Sequence, residues 1–321
     1  MAVYTDISDE ELDALLDAYD IGQAVSCKGV AEGVENSNFM LQTESGDFFL
    51  TLYEKRVDVD DLPFFLGLLE HLHGRGIPCP RPIHDKQGAV LHHAAGRPAA
   101  IVTFLKGRWP KRPRPVHCAG IGRAMAELHL AAGDFELRRP NSLSIESWRP
   151  LFEASKARAN EVHGGLAADL ERELDELEAK WPTDLPRGVV HADLFPDNVL
   201  FLGEKLSGLI DFYFACNDFL VYDLAICLNA WCFEQDGAFN VTKARLLLQS
   251  YRMGRSISEA EYESLPILAR GAAMRFLLTR LYDWLNQQEG ALVKPKDPLE
   301  YYAKIRFHRD VKGLGAYGLD F

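Results

Sequence analysis

Apolar positions recur along this chain first with a short helical period, then in alternating runs, and finally in long helical stretches. Near the N-terminus Leu12, Leu15, Leu16 and Tyr19 fall on one helical face behind Ser8-Asp-Glu-Glu11, where serine and glutamate can cap each other's backbone donors. A first helix ending near Ile21-Gly22 is predicted. Segments of strand character follow at 23–28, 38–44 and 47–53, the last two joined by the tight-turn signal Ser45-Gly46, so the pattern predicts an antiparallel meander. A helix is predicted over 60–73, stopped at Gly74-Arg75-Gly76, and Pro78, Pro80 and Pro82 hold the next segment extended. Strands around 89–93 and 99–104 complete a sheet.

Proline and glycine punctuate residues 105–115, and the period then changes. Helices are predicted over 116–131, within 146–180, and near 219–235, 240–253, 258–286 and 298–310. Short strands are expected at 188–191, 198–202 and 206–211. This order predicts an α+β protein, with a sheet-rich N-terminal lobe over residues 1–105 and a larger, mostly helical lobe over 106–321.

A length of 321 residues suits two such lobes. Charge narrows the partners: 47 acidic against 35 basic residues give a net charge of −12, a field that repels polyanions, so no nucleic-acid partner is expected. The local basic run from Lys106 to Arg114 is broken by proline and glycine and reads as a solvated connector. Six cysteines form no C-x-x-C pair, which predicts reduced, mostly buried thiols and no zinc. Asp6, Asp9, Glu10 and Glu11 stand where a signal peptide needs positive charge, and no run of 18 apolar residues occurs. A cytoplasmic protein with no membrane partner is expected.

The segment Val189-Val-His-Ala-Asp-Leu-Phe-Pro-Asp-Asn-Val-Leu-Phe201 places two apolar strands around a polar loop. Within it Asp193 and Asn198 have the D-x-x-x-x-N spacing that sets a carboxylate beside an acceptor hydroxyl and an amide oxygen on a metal. Asp211 ends the next predicted strand, where a carboxylate is costly unless paired or bound to metal. Magnesium on nucleotide phosphates satisfies that requirement with few protein oxygens, so one Asn and one Asp would suffice.

His191-Ala-Asp193 with Asn198, followed by Ile210-Asp211-Phe212, resembles the aminoglycoside phosphotransferase and choline kinase superfamily, which has a protein-kinase-like two-lobed fold. Ile121 to His129 and Tyr222-Asp-Leu-Ala225 look like two of its helices. Three stretches, Glu35 to Phe39, Leu50 to Arg56, and Asp211 to Asp218 running into Asn229 to Phe233, are similar to its homoserine kinase branch. The resemblance implies ATP and Mg²⁺ as cofactors and Asp193 as the catalytic base. It implies Asn198 and Asp211 as metal ligands and His191 as structural support for the loop. Gly29, Gly33, Asn36 and Asn38 would belong to the turn over the phosphates, and Thr103, Phe104 and Leu105 to the hinge beside adenine.

Thr51 stands where the superfamily carries its phosphate-binding lysine, so Lys28, Lys55, Arg56 or the metal must supply that charge. Glu70 reads as an exposed helical residue or the partner of such a cation, and His129 and Asp223 read as structural. The expected acceptor is L-homoserine, whose carboxylate and ammonium need fixed partners. Arg280 is the candidate for the carboxylate and Asp218 for the ammonium. Choline or aminoglycoside acceptors, or an inactive nucleotide-binding relative, are the alternatives.

Overall fold

The computed structural model describes residues 5–30, 36–54, 57–287 and 295–319. It divides into two compact units, Met1–Gly107 with Ser207–Tyr213, and Arg108–Leu206 with Phe214–Phe321. A linear division of the chain at 105/106 has no place for the segment 207–213, which belongs to the first unit.

In the first unit, α1 (Asp9–Leu16) carries the reciprocal cap read from sequence: the Glu11 N–H donates to Ser8 Oγ at 3.3 Å and the Ser8 N–H to Glu11 Oε2 at 3.1 Å. The helix ends earlier than its apolar period, because the Tyr19 N–H bonds back to the Leu16 carbonyl in a tighter turn while keeping Tyr19 buried. Strands β1 (Ala24–Gly29), β2 (Ser37–Thr43), β3 (Gly46–Leu52), β4 (His92–Ala94) and β5 (Arg97–Thr103) form one antiparallel sheet in the order β1-β2-β3-β5-β4. The first three strands form the predicted antiparallel meander. Beyond them β5 takes the place beside β3, since its apolar run Ala99-Ala100-Ile101 is buried and the short β4 is left at the edge. Leu12, Leu16, Phe39, Leu41, Leu50 and Ile101 share one core. Helix α2 (Leu62–Gly74) buries Phe65, Leu68 and Leu72.

The second unit contains α3 (Pro115–Ala131), α4 (Ile145–Lys156), α5 (Ala159–Val162), α6 (Leu166–Lys180), β6 (Arg187–Val190) and β7 (Val199–Leu202). After β8 (Lys205–Leu209), whose later residues lie in the first unit, come β9 (Cys216–Phe219), α7 (Leu220–Trp231), α8 (Val241–Gly254), α9 (Glu259–Leu285) and α10 (Leu299–Asp310). Strand β9 was not predicted, because Cys-Asn-Asp-Phe has neither alternation nor length; pairing to β6, from Val190↔Cys216 to Arg187↔Phe219, creates it. Helices α3 and α8 pack closely at Gly122, where a Cβ would lie 2.2 Å from the Leu247 carbonyl oxygen. Helix α9 packs on both α7 and α10. Helices α7 and α9 both contact the loop between β6 and β7.

Candidate active site

The loop after β6 is held from beneath by Asp223, on the first turn of α7 and fully buried. Its two carboxylate oxygens accept the backbone N–H groups of His191 and Ala192, each at 2.8 Å, and the imidazole Nε2 of His129 at 3.1 Å. His129 Nδ1 meets the Tyr251 hydroxyl at 2.8 Å, and Arg255 joins Tyr251 to Glu261. Burial pushes the Asp223 carboxyl up, but the bond from His129, the charges beside it and the loop N–H outweigh it and hold the group below its ordinary range. Asp223 is thus an anionic peg. His191 is fully buried and supports the loop through its backbone N–H.

Ala192 has φ 61, a left-handed conformation that a Cβ-bearing residue adopts at a cost of about 1 kcal/mol or more. Asp223 fixes its N–H from one side, and the Arg275 guanidinium of α9 donates to its carbonyl at 2.5 Å from the other. This bend turns the next residue, Asp193, out of the strand. The Asn198 amide nitrogen donates to the Asp193 carbonyl at 2.8 Å and to its Oδ2 at 3.1 Å. Both partners are acceptors, so the amide oxygen of Asn198 is the atom left to face a cation. Asp197 is exposed, with Lys296 at 3.9 Å.

The second metal candidate and the nucleotide candidates lie in the first unit. Asp211 follows β8 with φ 65 and is exposed. The expectation that burial makes this carboxylate costly is therefore corrected: its mark is a left-handed backbone at a strand end. Thr51 is buried on β3 and donates to the Asn38 side-chain oxygen at 2.9 Å, while the Asn36 side-chain oxygen accepts the Glu54 N–H at 3.1 Å. Asn36 and Asn38 thus fasten the start of β2 to the end of β3 through neutral groups. Tyr213 adds to this group, its ring edge-on to Tyr53 at 5.6 Å and its hydroxyl donating to the Tyr53 hydroxyl at 3.5 Å. Gly29 ends β1 and is exposed, as is Lys28; Gly33, Lys55 and Arg56 lie outside the described residues. Thr103 bonds both ways with Arg81, at 2.9 Å each, and leads into the half-buried Phe104 and Leu105. Glu70 takes His84 as its partner, not a phosphate-binding cation.

The two acceptor candidates, Asp218 and Arg280, lie in the second unit and each already has partners. Asp218 is 7% exposed and accepts from Asn141 at 2.7 Å and the Phe219 N–H at 2.8 Å, with Arg187 at 3.6 Å; it fastens β9 to the 139–141 loop. Burial raises its pKa despite these partners, which makes it a poor seat for an ammonium. Arg280 is already paired with Glu300 at 2.7 Å, a consequence of α10 returning beside α9. Sequence reasoning missed Arg275 as the loop's second anchor, although a guanidinium in an apolar helix was its signal. It also missed α10 as a contributor, because Glu300 and Lys304 look like an ordinary exposed pair at i, i+4.

Among the described residues no helix is long and apolar enough to cross a membrane, and all six cysteines are free thiols, five of them buried. The family model described as the phosphotransferase enzyme family matches residues 26–257. The chain is 66% identical over 319 residues to a protein of Rhodospirillum rubrum named homoserine kinase, covering 99% of each. It is 64% identical to one of that name from Nitrobacter winogradskyi, covering 99% of this chain and 98% of the relative. Among solved structures it is similar to an amicoumacin kinase bound to AMP-PNP and Ca²⁺, with TM-score 0.69, 15% identity, and coverage of 93% and 91%. A choline kinase of Cryptosporidium parvum gives TM-score 0.65 at 15% identity, covering 88% of each chain. These two likenesses establish a kinase-like fold and nothing finer.

Proposed function

The chain belongs to the phosphotransferase enzyme family, and we propose that it transfers the γ-phosphoryl group of ATP to the hydroxyl of L-homoserine. The observation that carries this reading is similarity at 61–66% identity, over 99% or more of the chain, to proteins named homoserine kinase. The acceptor oxygen attacks the γ-phosphorus, the bond to the β-phosphate oxygen breaks, and ADP and O-phospho-L-homoserine leave as the hydroxyl proton is lost.

Asp193 is the group we assign to that proton. The left-handed Ala192 presents its carboxylate, Asn198 steadies one oxygen, and the other can orient the hydroxyl. Little covalent help is needed in a loose phosphoryl-transfer transition state, so positioning is the larger part of the work. Asn198 and Asp211 are the residues we assign to Mg²⁺, one through its available amide oxygen and the other through an exposed carboxylate. Two protein oxygens suit a cation that takes its remaining ligands from phosphate and water. When bound, the metal would neutralise charge developing on the phosphates. Residues around Gly29 to Asn38, Thr51, and Thr103 to Leu105 are assigned to the nucleotide, and the six free thiols support a reducing, cytoplasmic setting.

The test is a coupled ADP-release assay with L-homoserine, L-serine, choline and an aminoglycoside, with the product identified by phosphorus NMR. We expect O-phosphohomoserine and a kcat/KM at least about 10²-fold above the others, because a site built for one hydroxyl position and two charges rejects shorter or uncharged acceptors. Preferential turnover of choline or an aminoglycoside would overturn the assignment.

A further inference from the structure

Helix α10 brings an unusual group of side chains towards the Asp193 loop. The Tyr301 ring is fully buried and has a cation near each of two approaches, with the Arg280 guanidinium carbon 4.4 Å and Lys304 Nζ 4.2 Å from its centroid. One carboxylate serves both: Glu300 Oε2 accepts from Arg280 at 2.7 Å and Oε1 from Lys304 at 2.6 Å. Neither cation has another ion-pair partner among the described residues, so two positive charges and one negative leave the cluster one positive charge in excess. The Tyr301 hydroxyl is buried with no hydrogen-bond partner among the described residues. A phenolic O–H in that position is a donor awaiting an acceptor. Burial draws Lys304 below the ordinary lysine range, with Glu300 opposing that shift.

The cluster is joined to the catalytic loop by packed rings. Phe276 lies 5.4 Å from Tyr301 and 4.9 Å from Phe195, two residues after Asp193, and its neighbour Arg275 holds the Ala192 carbonyl. Glu300 is exposed, so the cluster is open to solvent on one side. An excess cation and an unpaired buried donor are complementary to one kind of group, a carboxylate, which would neutralise the charge and accept from the phenol. They are wrong for a quaternary ammonium or a polyamine, because the aromatic surface near Tyr301 already faces two cations.

We propose that Arg280, Lys304 and the Tyr301 hydroxyl form the seat of the acceptor's α-carboxylate, with Glu300 holding the two cations apart. This rests on the acceptor being homoserine. It replaces a single arginine by a three-donor site, and it makes the carboxylate the feature by which the enzyme selects its acceptor.

The experiment compares L-homoserine with 3-amino-1-propanol, the same molecule without its carboxylate, in wild type and in Lys304→Met, Arg280→Met and Tyr301→Phe, with KM for ATP and the melting curve recorded for each. Wild type should favour homoserine by about 10²-fold or more in kcat/KM. The two cation variants should raise KM for homoserine by at least about 30-fold, leave KM for ATP within about threefold, and bring the preference below about tenfold. The milder Tyr301→Phe should lower the preference in the same direction with a native melting curve. Variants that fold and keep the wild-type preference overturn the seat. If wild type does not phosphorylate homoserine at all, the assigned reaction is what fails, and calorimetric titration with the same two ligands then decides the seat. Tighter binding of homoserine that disappears in Lys304→Met upholds it, and equal binding of both ligands overturns it.

Discussion

Replacing Asp223 by asparagine separates the positioning of the Asp193 loop from the chemistry assigned to it. The native carboxylate accepts three donors, the N–H groups of His191 and Ala192 and the imidazole of His129, in a fully buried place. An amide of the same shape keeps one acceptor oxygen and turns an NH₂ toward at least one of those donors. Leaving one buried donor unsatisfied costs about 1–3 kcal/mol, and the Ala192 conformation, strained by about 1 kcal/mol, loses part of what holds it. A folded protein with a stability of about 5–15 kcal/mol survives that loss. Its loop relaxes, and a shift of about 1 Å in Asp193 is enough for about a 10²-fold loss of rate. Asp223→Asn should therefore lower kcat about 10²-fold, leave KM for ATP within about threefold, and lower the urea midpoint measurably. Wild-type kcat in a variant destabilised by this amount would refute the reasoning, since it would show that the loop keeps its geometry without the peg.

The assigned base and metal ligand give two further outcomes: Asp193→Asn should lower kcat by at least about 10²-fold with nucleotide affinity little changed, and Asp211→Asn should raise the Mg²⁺ concentration needed for half-maximal rate. Fluorescent-nucleotide titration checks the first and a Mg²⁺ titration of initial rate the second; loss of nucleotide binding in Asp193→Asn would point to a structural role instead. His308 supplies a pH dependence: burial draws its pKa from 6.5 to about 3, and it is held neutral, accepting from Tyr317 and donating to the Asn229 oxygen. A depressed histidine binds its proton more readily in the unfolded chain, so stability falls as pH drops below 6.5, by about 2 kcal/mol at pH 5 from this group. Urea unfolding at pH 7.5 and 5 should show a smaller loss in His308→Gln. Gly122→Ala should cost about 3 kcal/mol or more, because its Cβ would strike the Leu247 backbone of α8, not a movable side chain; an unchanged urea midpoint would mean the two helices separate freely.

Much of this architecture was legible because its elements are patterned locally. The cap at Ser8 and the alternation of β2 reproduce in the structure nearly residue for residue. The polar loop of Asp193 and Asn198 was equally plain, since polar side chains gathered between two apolar strands contribute little to packing and so mark a site. What escaped was set by distant partners. Strand β9 exists only through β6, and the placing of β5 beside β3, with β4 at the edge, is decided by burial of Ala99 to Ile101. Glu300 and Lys304 carry the signature of a solvated helix face, and only the return of α10 beside Arg280 gives them another meaning. Asp211 was singled out for burial that it does not have, whereas its left-handed backbone leaves no trace in composition.

The return of residues 207–213 to the first unit sets the timetable by which this protein can mature on the ribosome. That unit contains Leu209 bonded to the Pro78 carbonyl at 2.7 Å, Ser207 bonded to the Lys106 carbonyl at 2.8 Å, and Tyr213 packed edge-on against Phe65 at 5.7 Å. None of these partners exists when Gly107 is made, and about 100 further residues must be synthesised before Tyr213 appears. At about 5–20 residues per second the N-terminal sheet waits roughly 5–20 s for its last segment. A nascent chain halted near Gly107 should remain open to protease, with the aromatic face of Tyr53 and Phe65 uncovered, while one extended far enough for Tyr213 to leave the exit tunnel should resist it. The part of the chain that is born first is thus finished only after half of the rest has been made.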